Sequence, residues 1–295
     1  MPVRGNPRTA EGRLHVVVQS WGATDGAPVL ALHGWLDNAA SFDPLAATLD
    51  GLRLLAVDLP GHGWSDHRAG GSYFFIDYLV DLHELVEQLE LGRVALVGHS
   101  FGGAIAAAFA GAFPERVERV VLLDGFLPVT VEPGHAIERL RAHVTARAAS
   151  RPTARVLADI EEAAVRIGAN RNGPGLEAAR LLAGRGTAPA PGGVVFRSDP
   201  LLRAGAPLAL CRAQADAFVS GVRCPVFALR ARGGYPYHES TTNRFRALVP
   251  HADWREIDGG HYVHMDRPRE VAELIQPFLA AAAAVGPEPA AGTTR

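Results

Sequence analysis

At 295 residues, with 48% apolar and 20% charged side chains, the chain suits one α/β domain carrying a large insertion and is too apolar for a disordered one. A formal charge of -2 without a basic run argues against a nucleic-acid surface. Every positive side chain is arginine, and the absence of lysine excludes Schiff-base, P-loop-lysine and Ser–Lys chemistry.

Two cysteines, Cys211 and Cys224, make neither a disulfide framework nor a metal cluster and read as buried thiols in a reducing compartment. Residues 1–12 lack the apolar stretch of a signal peptide, and the alanine run Ala280–Ala284 falls far short of the roughly 18 apolar residues that span a bilayer. A cytoplasmic protein without a membrane span is expected.

In chain order, Leu14–Val18 is the first β-rich run, and Val29–Leu32 the second, ending at His33-Gly34. Asp43-Pro44 reads as an N-cap followed by proline at the first helical position, opening a helix toward Leu49. Leu52–Val57 ends at Asp58-Leu59-Pro60-Gly61. Between Ile76 and Leu89 apolar residues recur at helical spacing, with Asp77, Asp81, Glu84 and Glu87 on the other face. Val94–Val97 runs into Gly98-His99-Ser100, and the alanine-rich Phe101–Phe113 suits a helix packed beneath a sheet. Val120–Leu123 ends at Asp124, Val226–Leu229 leads into Arg230, and Trp254–Ile257 ends at Asp258-Gly259-Gly260-His261.

This alternation predicts a mostly parallel central sheet flanked by helices. Residues 127–221 break the rhythm with helical pieces at Ala136–Ala149, Ala154–Arg166 and Leu176–Ala183, then glycine and proline around Gly184–Gly193. They read as a mainly helical cap, inserted after the strand ending at Asp124. The core is then 13–126 and 222–280, with 1–12 and 286–295 as flexible termini.

Gly98-His99-Ser100-Phe101-Gly102 fits G-x-S-x-G between an apolar strand and a helix, the context a nucleophile elbow requires. The turn is so tight that side chains two residues either side of the serine would collide. A serine hydroxyl is a weak nucleophile and needs a base within hydrogen-bond reach. His261, at the end of the last strand, is the candidate. His264 is its rival and reads better as a histidine behind the base or against the cap. A zinc site built from the two lacks a third ligand at suitable spacing. Serine rather than aspartate at the elbow argues against epoxide-hydrolase and dehalogenase chemistry.

Together, His33-Gly34-Trp35, Asp58-Leu59-Pro60-Gly61-His62-Gly63-Trp64-Ser65-Asp66, Gly98–Gly103 and Gly259-Gly260-His261 resemble the α/β-hydrolase superfamily. The run from His33 to Phe42 is similar to the serine hydrolase-like proteins within it. The resemblance spans roughly Leu14 to Leu279 and implies the order Ser, acid, His. The turn that carries the acid in most relatives reads here Arg230-Ala231-Arg232-Gly233-Gly234-Tyr235-Pro236-Tyr237-His238-Glu239 and holds no aspartate. Asp124, where some members place the acid, ranks ahead of Glu239. An incomplete triad is the third reading.

The resemblance also implies an oxyanion hole from the backbone N–H groups of Trp35 and Phe101. Asp37 and Asn38 read as helix caps, and Asp58 and Asp66 as binders of backbone amides. Trp35, Phe101, Phe126 and Tyr262 are the candidate substrate-contacting side chains, with Trp64 also beside the motifs. The expectation is a serine esterase-like enzyme acting on a small, largely apolar molecule, with no metal or organic cofactor implied. Carbon–carbon hydrolysis, perhydrolysis and a low-turnover ligand sensor are the alternatives on the same scaffold.

Overall fold

The computed structural model describes residues 14–69, 72–148 and 155–281, and the two termini expected to be flexible lie outside them. Its strands are β1 (Val17–Trp21), β2 (Ala27–Leu32), β3 (Leu52–Asp58), β4 (Val94–His99), β5 (Val117–Leu123), β6 (Thr187–Ala190), β7 (Gly193–Phe196), β8 (Val226–Gly233) and β9 (Asp253–Gly260). The main sheet runs β1-β3-β2-β4-β5-β8-β9. All its neighbours are parallel except β1, which lies antiparallel to β3.

The central strands β2 and β4 are near-continuous apolar runs because helices cover both their faces. Strand alternation sends Leu30 and Leu32 to one side, with Ile105 and Phe109 of helix Phe101–Ala112 and Leu82 of helix Phe75–Gln88. Val29 and Ala31 go to the other, with Val271 and Ile275 of helix Pro268–Ala280.

Two expectations shift. The first strand is Val17–Trp21 rather than Leu14–Val18: it is an edge strand, half-buried throughout, so Gln19 and Ser20 are accepted within it. Asp43 is not the N-cap expected for the first helix. The chain turns into a 3-10 helix, Ala39–Phe42, five residues earlier, where the Asn38 side chain accepts the Ala40 N–H at 3.1 Å, and Asp43 lies inside the helix that follows.

The insertion contains the helices Ala136–Ala148, Ile160–Gly168 and Leu176–Gly186, and also a hairpin, β6–β7, that helical patterning did not anticipate. Its two-residue loop is Pro191-Gly192, with proline supplying the first turn position and Gly192 the positive φ of 84° that the second requires. Helix Arg212–Ser220 packs on helix Phe101–Ala112 so closely that a Cβ on Gly111 would lie 1.7 Å from the Phe218 carbonyl oxygen.

Arg185 pins the insertion to the sheet. Its guanidinium donates to both carboxylate oxygens of buried Asp58 at 2.7–3.1 Å and to Gln19 Oε1 at 2.6 Å. As expected of it, Asp58 also accepts the backbone N–H groups of Ala39 and Trp64, and Asp66 accepts that of His15. Arg185→Met should lower stability by about 2 kcal/mol, less than the roughly 3–5 kcal/mol of a fully buried pair because Asp58 keeps two backbone donors. A denaturant midpoint shifted down at constant slope checks this.

Among the described residues no helix is long and apolar enough to cross a membrane, and Cys211 and Cys224 are unpaired.

Candidate active site

β4 ends at His99 and helix Phe101–Ala112 begins one residue later, so Ser100 alone makes the corner. Its φ of 53° and ψ of -114° lie outside the regions that L-residues ordinarily adopt. The corner closes because its flanks are bare: a Cβ on Gly98 would lie 2.4 Å from the Gly102 carbonyl oxygen. Ser100 N–H donates to the Leu123 carbonyl oxygen at 3.0 Å, fixing the corner against β5.

Facing it, His261 follows β9 and is 7% exposed. Its Nε2 lies 2.9 Å from Ser100 Oγ and its Nδ1 2.6 Å from Asp124 Oδ2. Asp124 is wholly buried at the end of β5 and holds a positive φ of 46°. Its Oδ1 accepts the Ala231 N–H at 3.1 Å, and its Oδ2 the Tyr235 N–H at 2.9 Å. The Tyr237 hydroxyl donates to the Asp124 carbonyl oxygen at 2.9 Å. The turn after β8, without an aspartate of its own, thus wraps the carboxylate of Asp124. Gly234 has no side chain because a Cβ there would meet Asp124 Oδ2 at 2.3 Å. Glu239, the rival carboxylate, is exposed at the start of helix Glu239–Leu248 and makes no bond to His261.

Trp35 and Phe101, the two candidate oxyanion donors, are partly buried with their rings 4.9 Å apart at 77°. Phe101 opens its helix, where a backbone N–H has no intrahelical acceptor. Beneath Trp35, His33 Nδ1–H donates to the Gly34 carbonyl oxygen at 2.7 Å while its Nε2 accepts the Leu59 N–H at 3.0 Å. Burial lowers the His33 pKa and takes that of its neighbour His62 down to about 3, so both hold the turn as neutral rings.

Three candidates sit elsewhere than expected. Phe126 is 1% exposed and packs on Phe245 and Trp254, because the chain after β5 turns its ring into the core. Trp64 is half exposed, lies under Arg197 and donates its indole N–H to the Arg185 carbonyl oxygen, which makes it a brace for the insertion. Asp37 does not cap a helix; its Oδ1 accepts the Tyr262 hydroxyl at 2.8 Å. Tyr262 in turn packs on Ala178 and Leu182 of the insertion.

His264 is fully buried with Nε2 2.8 Å from Ser41 Oγ, and burial followed by His99 and His261 lowers its pKa strongly. Its ring packs on those of His99, at 4.2 Å, and Phe42, at 5.5 Å, and makes no bond to Ser100. Tyr235 went unrecognised as a site residue: it is half exposed, with its ring 5.7 Å from that of His261. The Gly-Gly before it was the signal, marking a turn tight enough to approach a carboxylate. Among the described residues, no cluster of three or more His, Cys, Asp or Glu side chains is arranged to hold a metal.

The fold has counterparts. A model of the alpha/beta hydrolase fold family matches residues 27–268. The chain is similar to a serine hydrolase-like protein of Danio rerio, 32% identical over 276 residues that span 88% of this chain and 84% of that protein. It also resembles the solved structure of a hypothetical protein from Pseudomonas aeruginosa PAO1 at 40% identity and a TM-score of 0.84, covering 92% and 98% of the two chains. A thioesterase domain from the curacin biosynthetic pathway aligns at 26% identity and 0.81, covering 91% and 97%. With 88% of its length matched to a relative more than 30% identical and the family model spanning most of it, this chain is a hydrolase of the α/β-hydrolase family.

Proposed function

We propose that this hydrolase cleaves a carboxylic ester or related acyl bond of a small, largely apolar substrate through an acyl-enzyme on Ser100. One observation carries the reading: an unbroken line from Ser100 Oγ through His261 to Asp124, with steps of 2.9 and 2.6 Å. Asp124 accepts the Nδ1–H of His261 and thereby leaves Nε2 bare toward the serine. As Ser100 Oγ attacks the substrate carbonyl carbon, its proton passes to Nε2, and the carboxylate stabilises the imidazolium. The carbonyl oxygen, now an oxyanion, is received by the Trp35 and Phe101 N–H groups, each worth roughly 3 kcal/mol at the transition state. His261 gives the proton to the departing alkoxide; it then takes a proton from a water whose oxygen attacks the acyl carbon, and returns it to Ser100 Oγ as the acyl–Oγ bond breaks and the acid leaves.

Trp35, Phe101 and Tyr262, joined by Tyr235, are the proposed walls of the substrate site. Residues 127–211 form the proposed cap, and helix Arg212–Ser220 goes with the core on which it packs.

A fluorophosphonate probe tests the reading, because only a serine activated in this way is phosphonylated rapidly. Wild type should label once and Ser100→Ala not at all. A folded wild type that resists the probe overturns the reading in favour of a binding protein. A series of p-nitrophenyl esters of graded length then reports the acyl preference.

A further inference from the structure

Behind the imidazole of His261 lies a second buried layer. His99, fully buried, places Nε2 2.9 Å from the backbone carbonyl oxygen of His261, so Nε2 carries a proton and donates. Its Nδ1 faces Asp37 Oδ2 at 3.7 Å. Both of these atoms are buried, and neither has a hydrogen-bond partner among the described residues. A neutral His99 cannot satisfy this arrangement. With its proton on Nε2, two lone pairs confront one another across the gap, and with its proton on Nδ1 the His261 carbonyl oxygen loses its donor. One additional proton between Nδ1 and Oδ2 resolves both ends.

The groups facing the pair do not supply it. Tyr262 already donates to the other oxygen of Asp37, and both ring nitrogens of His33 are engaged. His264, whose ring is 4.2 Å from that of His99, is turned to Ser41, and His261 is turned to Asp124. Burial draws the basicity of His99 down. Burial alone would raise Asp37, yet the facing His99 imidazole, with help from His33 and Tyr262, brings its carboxyl below the ordinary range.

We infer that Asp37 and His99 hold one additional buried proton between them as an ion pair, and that the pair is a positioning device locking the His261 loop to the oxyanion turn and the nucleophile elbow. Three parts of the chain meet there. Asp37 lies two residues beyond the oxyanion donor Trp35, His99 immediately precedes Ser100, and His99 and Asp37 grip the His261 backbone and the Tyr262 hydroxyl. Gly34 is bare for the same reason, since a Cβ there would stand 2.7 Å from Asp37 Oδ2 and 3.1 Å from His99 Nδ1.

The positioning role rests on the serine-hydrolase reading of the site, whereas the additional proton does not. Nitrogen-15 spectra of histidine-labelled protein, with His99 assigned by its loss in His99→Gln, should show a protonated Nδ1 that reverts to a bare nitrogen in Asp37→Ala. A bare Nδ1 in the folded wild type overturns the inference, whatever the activity. For positioning, Asp37→Ala should lower kcat by about 10²-fold with KM little changed, the cost of a reacting group displaced by about an ångström. Asp37→Asn, whose amide can donate to a neutral His99 while still accepting from Tyr262, should recover kcat to within a few-fold. Tyr262→Phe, which deletes one hydroxyl from a partly buried ring, should fold normally and lose a smaller part of kcat. An unchanged kcat in Tyr262→Phe and in folded Asp37→Ala refutes the clamp, as does a loss that Asn fails to restore. Failure of wild type to take the fluorophosphonate would instead refute the hydrolase reading.

Discussion

Asp124→Asn is expected to lower kcat by about 10³- to 10⁴-fold with little change in KM, while Glu239→Gln stays within a few-fold of wild type. The carboxylate of Asp124 accepts three donors: Ala231 N–H on one oxygen, Tyr235 N–H and His261 Nδ1–H on the other. An amide has one accepting oxygen, so in either orientation its NH₂ meets a backbone N–H. In one orientation it also donates to His261 Nδ1, which moves the ring proton to Nε2 and leaves Ser100 without a base. In neither does it provide the negative charge that steadies the imidazolium. Glu239 stands exposed on a helix start and touches none of these atoms. Steady-state kinetics on the best p-nitrophenyl ester, with circular dichroism to confirm folding, decides the matter. A large loss in Glu239→Gln with Asp124→Asn intact would reverse the assignment of the acid.

What the sequence discloses follows from how local each constraint is. The elbow is written in five consecutive residues because its sterics act within one turn, and β4 leading into it is readable because burial on both faces leaves it almost wholly apolar. His261 is legible as a strand-end histidine. Its pairing with Asp124 is not, since the two are 137 residues apart and the bond depends on β5 and β8 being neighbours. Proximity to a motif misleads where a side chain can turn either way: Phe126 follows the strand end by three residues and goes into the core, while Trp64 goes out to brace the insertion. Asp37 resembles a cap because caps are acidic or amidic and precede helices. Asn38, one residue later, takes that role and frees Asp37 for Tyr262 and His99. The β6–β7 hairpin is marked only by Pro191-Gly192, a signal lost among the glycines around it.

Gly102→Ala is the steric change expected to reach the site most directly. A Cβ there would lie 2.0 Å from the Leu32 carbonyl oxygen and 2.8 Å from that of His33. Neither oxygen can withdraw. Leu32 ends β2, which is paired on both sides, to Val57 of β3 and Gly98 of β4, and His33 leads directly into the oxyanion turn. The substitution must therefore push the start of helix Phe101–Ala112 off the sheet by about an ångström, separating the Phe101 N–H from the Trp35 N–H and tilting Ser100 away from His261. Gly102→Ala is expected to cost more than about 3 kcal/mol, beyond ordinary overpacking because backbone rather than side chain must yield. At temperatures where it stays folded, it should label with fluorophosphonate about 10²-fold more slowly than wild type. Gly92→Ala is the matched control, since a Cβ there meets nothing within 4 Å and should leave stability within about 0.5 kcal/mol and labelling unchanged. A Gly102→Ala protein with the wild-type unfolding midpoint and labelling rate would mean that the elbow is looser than its contacts require, and the strained corner at Ser100 would lose its explanation.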